Sequence, residues 1–206
     1  MKEYYPLHID LANKKIVIVG GGAVATRKVK GFLASHAQIQ VISPEITGEL
    51  SRLAQAGEII WKEKGFNPAD LQDAFLIIAA TNDYETNELV RASAEKNQLI
   101  NAADEFEKSN CIVPSIIKRG KLTLSISTSG ASPILTKKLR QNLEETFDER
   151  YEDYIDFLAE CRKTIAKLVQ DPGKKREILK AIVEDPRFLD SENRDHLFRQ
   201  LLKEKT

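Results

Sequence analysis

Cysteine, histidine and long apolar runs are what this sequence has least of. Its two cysteines, Cys111 and Cys161, lie far apart and form no CxxC pair. That excludes a disulfide-stapled scaffold and fits a reducing compartment such as the cytoplasm. The three histidines, His8, His36 and His196, are scattered, so no Cys/His cluster with the spacing of a zinc site exists. No apolar stretch approaches the roughly 18 residues that span a bilayer. The first residues, Met-Lys-Glu-Tyr-Tyr-Pro, carry no apolar h-region, so a secretory leader is not expected. Excess charge is missing too: Lys+Arg and Asp+Glu each total 31 in 206 residues, which argues against nucleic acid or a membrane surface as partner. A hydrophobic content of 42% then reads as an ordinary globular chain.

Against those absences stands one local surplus of glycine. "IVIVGGGAVATRK" sets three glycines between a β-branched run and a helix-like stretch. Residues 15–19 predict a strand buried on both faces, and Ala23 to Ala34 a helix with Val24, Val29, Phe32 and Leu33 as apolar positions. Further strands are expected at Ile39–Ile42, Glu58–Trp61, Phe75–Ala80 and Leu99–Asn101, with helices at Glu45–Ala56 and Glu85–Lys96. Strands and helices alternating at this pitch imply βαβ crossovers and a parallel sheet. Near Cys111 the pattern changes. Ile112–Ile117 and Leu122–Ser127 flank Lys118-Arg119-Gly120-Lys121 as a hairpin, followed by a helix from Ile134 to about Phe147. From Glu149 to Lys205 the chain reads as helical, broken at Asp171-Pro172-Gly173 and Asp185-Pro186. The expected architecture is an α/β Rossmann-type domain (1–112), a hairpin-and-helix region (113–148) and a helical C-terminal domain (149–206).

Gly20, Gly22 and Ala25 match G-x-G-x-x-G/A at a strand-to-helix junction. The first glycine allows the tight turn, the second lets a pyrophosphate approach, and the small third residue lets helix and strand pack. Free N–H groups at the helix start would face the phosphates. The second strand ends in Val41-Ile42-Ser43-Pro44-Glu45, with no arginine or lysine before Arg52, which favours NAD over NADP. Glu45 is either the partner of the adenosine ribose or a first-turn helix residue. Ala79-Ala80-Thr81-Asn82-Asp83 leaves room at the carboxyl edge of the sheet, where Thr81 would meet the cofactor or begin a helix cap. Asp104, after the last strand on that edge, is either a general base or substrate anchor facing the nicotinamide, or an ordinary loop acid. Ser129, Gly130 and Ser132 open a helix, with Ser132-Pro133 as cap and first position. Lys137 follows, and Arg119 sits on the hairpin; together they hint at a polyanionic ligand.

The blocks "VGGGAVATRK", "AATND", "NAADEF" and "CIVPSIIKRGKLTLSISTSGASP", with the helical tail, resemble the precorrin-2 dehydrogenase family, the N-terminal module of sirohaem synthase and its stand-alone relatives. The likeness spans the whole chain. It implies NAD-dependent oxidation of precorrin-2 to sirohydrochlorin, with a dimerisation region between the two domains and hence a homodimer. By motif, Gly22, Ala23, Val24, Ser43, Pro44 and Glu45 would contact NAD, and Asp104 matches the family's key aspartate. The substrate's eight carboxylates would give Arg119, Ser129, Gly130, Ser132 and Lys137 a purpose. Some members also insert iron; with few residues here to take up pyrrole protons, dehydrogenation alone is the expectation, and bifunctional action the alternative. A non-catalytic NAD-sensing domain would share the glycine loop without needing the serine-rich block, and a general NADP-linked reductase would want the basic residue after the second strand that this sequence lacks.

Overall fold

In the computed structural model, residues 2–102, 108–190 and 192–205 are described. They divide into two compact units, Met1–Val113 and Pro114–Thr206.

The first unit grows from its most apolar strand. β1 (Lys15–Val19) buries Ile16, Val17, Ile18 and Val19 at 0–2% exposure, as a strand covered on both faces must. It pairs in parallel with β2 (Gln38–Ile42) on one side and β4 (Leu76–Ala79) on the other. β3 (Ile60–Lys62) adds to β2 and β5 (Leu99–Ala102) to β4. The order β3-β2-β1-β4-β5 reverses direction between β1 and β4, which opens a crevice at their carboxyl ends. α1 (Ala23–Leu33) and α2 (Gly48–Gln55) cover one face, packing Ala25, Val29, Phe32 and Leu50 on Ile16, Ile18 and Val41. α3 (Tyr84–Ser93) and a 3-10 turn (Pro68–Leu71) cover the other, where Val90 and Leu71 meet Val17, Ile77 and Ile100. The β5 edge is closed by side chains: Asn110 Oδ1 accepts the Ile100 N–H (2.7 Å) and Ser109 Oγ the Ala102 N–H (2.9 Å).

In the second unit, β6 (Ser115–Arg119) and β7 (Leu122–Ile126) form an antiparallel hairpin. Gly120 takes φ 54° at its two-residue loop, a conformation that a side chain resists. The tip is held to α5 (Arg150–Leu168) by Lys121 Nζ, 2.6 Å from Asp156 Oδ1. α4 (Pro133–Thr146) lies along β6. α5, α6 (Pro172–Glu184), α7 (Arg187–Asp190) and α8 (Arg194–Lys205) share a separate core built on Tyr154, Cys161, Ile165, Ile178, Ile182, Phe188 and Phe198.

Several elements depart from the sequence expectation. The first hairpin strand begins at Ser115 rather than Ile112 and takes in Lys118 and Arg119, which pair with Thr123 and Leu122, so the loop is Gly120-Lys121 alone. α2 starts at Gly48, not Glu45, because Thr47 is its cap and Ser43–Ile46 is pinned against the glycine loop: Gly20 N–H donates to the Ile42 carbonyl (2.9 Å) and Thr47 N–H to that of Gly21 (3.0 Å). Glu45 is therefore not a first-turn helix residue. The tail has a third break, between α7 and α8, at a segment without glycine or proline.

Candidate functional site

The crevice between β1 and β4 widens into a cleft of about 740 Å³ lined by the glycine loop, Ser43–Thr47, Gly65, Phe66 and Ala80–Asp83. Each glycine at its floor answers a different demand. Gly20 has φ 122°, and a Cβ there would stand 2.2 Å from the Ala80 carbonyl oxygen. A Cβ on Gly21 would stand 1.9 Å from the Glu45 carbonyl oxygen. Both are required by the protein's own packing. Around Gly22 nothing lies within 4 Å of where a Cβ would be. The chain leaves that space free, and Gly22 itself lines the cleft.

Gly22 is also the N-cap of α1, and no side chain caps this helix or places an acid in its first turn. The N–H groups at its start and the positive end of its dipole are left for a ligand. A helix opening without a cap, above a glycine that the fold does not need, suits a pyrophosphate. Gly20, Gly22, Ala23, Val24, Ser43, Pro44, Glu45 and Thr81 all line this one cleft.

Their hydrogen bonds differ. Thr81 is clamped by Asn87, whose Oδ1 accepts from its N–H (3.2 Å) and its hydroxyl (2.8 Å), while Asn87 Nδ2 donates to its carbonyl (3.0 Å). The cap of α3 is Asp83, accepting the Thr86 N–H (3.1 Å); the Thr86 hydroxyl and N–H hold its carboxyl below the usual carboxylate range. Glu45 is exposed at the rim. Trp61 Nε1 donates to the Ser43 carbonyl (3.0 Å) and fixes the loop after β2. Asn82, from the segment expected there, borders the cleft together with Thr81; Thr47, Phe66 and Thr86 also line it. Sequence reading missed Thr47, Phe66 and Thr86; the Thr-Gly-Glu-Leu start of α2 was the available signal for Thr47.

The aspartate expected to do chemistry, Asp104, lies outside the described residues. β5 ends at Ala102, two positions before it, at the carboxyl edge of the sheet.

The candidates for substrate contact belong to the second unit. Ser132 Oγ accepts the Leu135 N–H (3.2 Å) and caps α4, while Ser129 and Gly130 take φ 51° and 83° in the turn before it. Lys137 is exposed on α4. Arg119 stands at the hairpin tip, paired in register with Leu122, so a strand of about 13 Å separates it from the serine loop. A cleft of about 780 Å³ among α5, α7 and the segment before α8 is lined by Asp153, Asp156, Glu160, Asp190, Glu192 and Asp195 against Lys121, Arg150 and Arg194. That excess of carboxylates repels anions.

Comparison with known proteins agrees with this arrangement. An NAD(P)-binding family model matches residues 7–115, the sirohaem biosynthesis protein central model residues 119–146, and the SirC C-terminal domain model residues 151–197. The precorrin-2 dehydrogenase of Priestia megaterium is 37% identical over 98% of this chain and 100% of its own length. That of Bacillus subtilis is 39% identical over 77% of this chain and 94% of its own. The siroheme synthase of Mannheimia succiniciproducens is 33% identical over 91% of this chain but only 38% of its own length. Among solved structures, one titled "SirC, precorrin-2 dehydrogenase" superposes with a TM-score of 0.80 at 36% identity, covering 98% of both chains. With the fold, the open helix start and full-length relatives in agreement, the chain belongs to the precorrin-2 dehydrogenase family.

Proposed function

We propose that this chain oxidises precorrin-2 to sirohydrochlorin with NAD, a step of sirohaem biosynthesis. The observation that carries the proposal is the full-length relationship to precorrin-2 dehydrogenases, together with a cleft whose free N–H groups and unobstructed Gly22 suit a pyrophosphate. Gly20, Gly22, Ala23 and Val24 hold the pyrophosphate, Ser43, Pro44 and Glu45 the adenosine ribose, and Thr81 borders the nicotinamide half. Bound NAD supplies the acceptor for the hydride that leaves the substrate. The substrate loses a second hydrogen as a proton, and Asp104 is the residue we assign to accept it. The products are sirohydrochlorin, NADH and one proton, so electrons and hydrogens balance.

Arg119, Ser129, Gly130, Ser132 and Lys137 are assigned to the substrate's carboxylates through charge-assisted and hydroxyl hydrogen bonds. The acidic cleft among the helices is unsuited to such a polyanion. We place the hairpin and α4 (within 113–148) at a twofold interface and the helical domain at 149–206. Support comes from Ile116, Ile134, Leu135 and Leu139, which are 47, 85, 46 and 37% exposed in the single chain. Two free thiols and the absence, among the described residues, of a helix long and apolar enough to cross a membrane favour a cytoplasmic setting.

The test is anaerobic incubation with precorrin-2 and NAD, followed by absorbance. One NADH per sirohydrochlorin is expected; sirohydrochlorin formed no faster than without protein rejects the proposal. A second arm supplies sirohydrochlorin and ferrous or cobalt ion without NAD. Insertion faster than the protein-free rate, and lost in Asp104→Ala, makes the enzyme bifunctional.

A further inference from the structure

Two lysines neighbour residues that line the cleft, Lys62 across the sheet from Ser43 and Lys64 next to Gly65 in the chain. The sequence hides this because they lie at and after the end of β3 rather than β2. Lys62 is the last residue of β3, and its carbonyl accepts the Ser43 N–H (3.3 Å). Lys64 is two positions on, immediately before Gly65 and Phe66 in the cleft lining. Cations placed there would suit the 2′-phosphate of NADP, which needs a basic partner beside the end of the second strand.

Both ammonium groups are already engaged. Lys64 Nζ lies 2.7 Å from Asp70 Oδ2, and Lys62 Nζ lies 3.7 Å from Asp70 Oδ1. Asp70 is 5% exposed and cannot follow the lysines outward. Its Oδ2 also accepts the Asn67 N–H (3.0 Å), which locks it into the 3-10 turn as half of a capping box. Burial pushes its carboxyl up, but Lys64, the Asn67 N–H and Lys62 outweigh that and hold it below the ordinary carboxylate value, so it is charged at neutral pH. At the cleft rim the exposed Glu45 carboxylate repels a further phosphate.

We propose that Asp70 sets the dinucleotide preference of the cleft: by pairing Lys62 and Lys64 it occupies the cations a 2′-phosphate would require, and so leaves this end of the site to the plain ribose of NAD. The proposal rests on the cleft being the dinucleotide site, as argued above. Asp70 touches no reacting atom; it acts through the two lysines.

The experiment is calorimetric titration of the full-length wild type and Asp70→Asn with NAD and with NADP. Asparagine keeps an oxygen for the Asn67 N–H but lacks the charge that holds the lysines. NADP affinity relative to NAD should rise by about tenfold, the scale of one new charge-assisted contact, with NAD affinity changed less than about threefold. Adding Lys62→Ala and Lys64→Ala should return the ratio to the wild-type value. A ratio that moves less than about threefold, or a rise that survives removal of both lysines, overturns the proposal while NAD binding by the wild type leaves the cleft reading intact. Wild-type protein that binds neither nucleotide overturns both. If Asp70→Asn does not fold, Asp70→Ser, which also retains an oxygen for Asn67, is read by the same criteria.

Discussion

In the first unit Ile16, Val17, Ile18 and Val19 of β1 lie at 0–2% exposure between two layers of the same chain; in the second, the 14 residues of α4 include none that is buried. α5 to α8 do close their own core, with Ile165 at 1% and Ile178 and Ile182 at 0% exposure. The contrast separates the molecule into parts that satisfy themselves and a hairpin-and-helix part that does not. A parallel sheet has to be covered on both faces by its own crossovers. A two-stranded hairpin with one helix offers too little apolar area to do the same, and Ile116, Ile134, Leu135 and Leu139 stay 37–85% exposed in the single chain.

The largest effects expected lie within the glycine loop, where neighbouring positions should respond in opposite ways. Gly21→Ala drives a Cβ to 1.9 Å from the Glu45 carbonyl oxygen, a main-chain atom held by the Thr47–Gly21 hydrogen bond. The α/β unit should lose at least about 3 kcal/mol. Gly22→Asp meets nothing within 4 Å, and aspartate is a favourable N-cap, so the fold should survive while NAD binding is abolished by the charge and bulk. The single tryptophan, Trp61 in β3, reports melting of the α/β unit alone, whereas far-UV circular dichroism is dominated by the helices of the other. In Gly21→Ala the fluorescence transition should move to lower temperature than the dichroism transition. Transitions that stay superimposed would show one cooperative block and break the comparison.

Next in size is Asp104→Ala, which separates chemistry from binding. Loss of a proton acceptor should reduce turnover by roughly 10²-fold or more. NAD affinity should be nearly unchanged, since the assigned pyrophosphate contacts are in the glycine loop. Equal loss of affinity and turnover would place Asp104 with the cofactor contacts instead. Leu139→Asp then probes the other side of the contrast. Removing a leucine from an interface costs about 1.5–3 kcal/mol, and twofold symmetry counts it twice. Light scattering at micromolar concentration should give a dimeric mass for the wild type and a monomeric one for the variant, with NAD affinity retained. A monomeric wild type would remove the interface from the proposal.

What could be read from the residues follows the same division. β1 and β4 are runs of β-branched residues ending at small ones, and the period and the stop are both local. The hairpin's glycine and the Ser132-Pro133 helix start are local signals too, and the structure has both. The start of α2 was misread because Ser43-Pro44-Glu45 has the composition of a helix N-terminus. The deciding contact, the Glu45 carbonyl against Gly21, joins segments that only folding brings together. The break before α8 carries neither glycine nor proline, and so gave no warning. Lys62 and Lys64 were overlooked for a related reason. Nothing in their spelling says that β3 sets Lys62 beside Ser43, or that a buried acid six positions on holds Lys64.

The smallest effect expected compares the units through their thiols, one in each. Burial pushes the Cys111 thiol up to about 11, with Lys28 acting in the opposite direction. Burial and the nearby Asp195 charge push that of Cys161 up to about 12. The thiolate is the reactive form, so at pH 8 about one part in 10³ of Cys111 and one in 10⁴ of Cys161 is reactive. Both folded pKa values lie above the working range; each labelling rate should therefore climb about tenfold per pH unit from 7 to 9 without levelling off. Iodoacetamide labelling followed by peptide mass should show Cys111 reacting about tenfold faster, a margin that access enlarges because Cys161 is only 1% exposed. Equal rates would mean that both thiols are reached through one opening of the whole molecule, and the two units would then not be independent. Faster reaction at Cys161 would invert the comparison and make the helical core, rather than the α/β unit, the part that opens first.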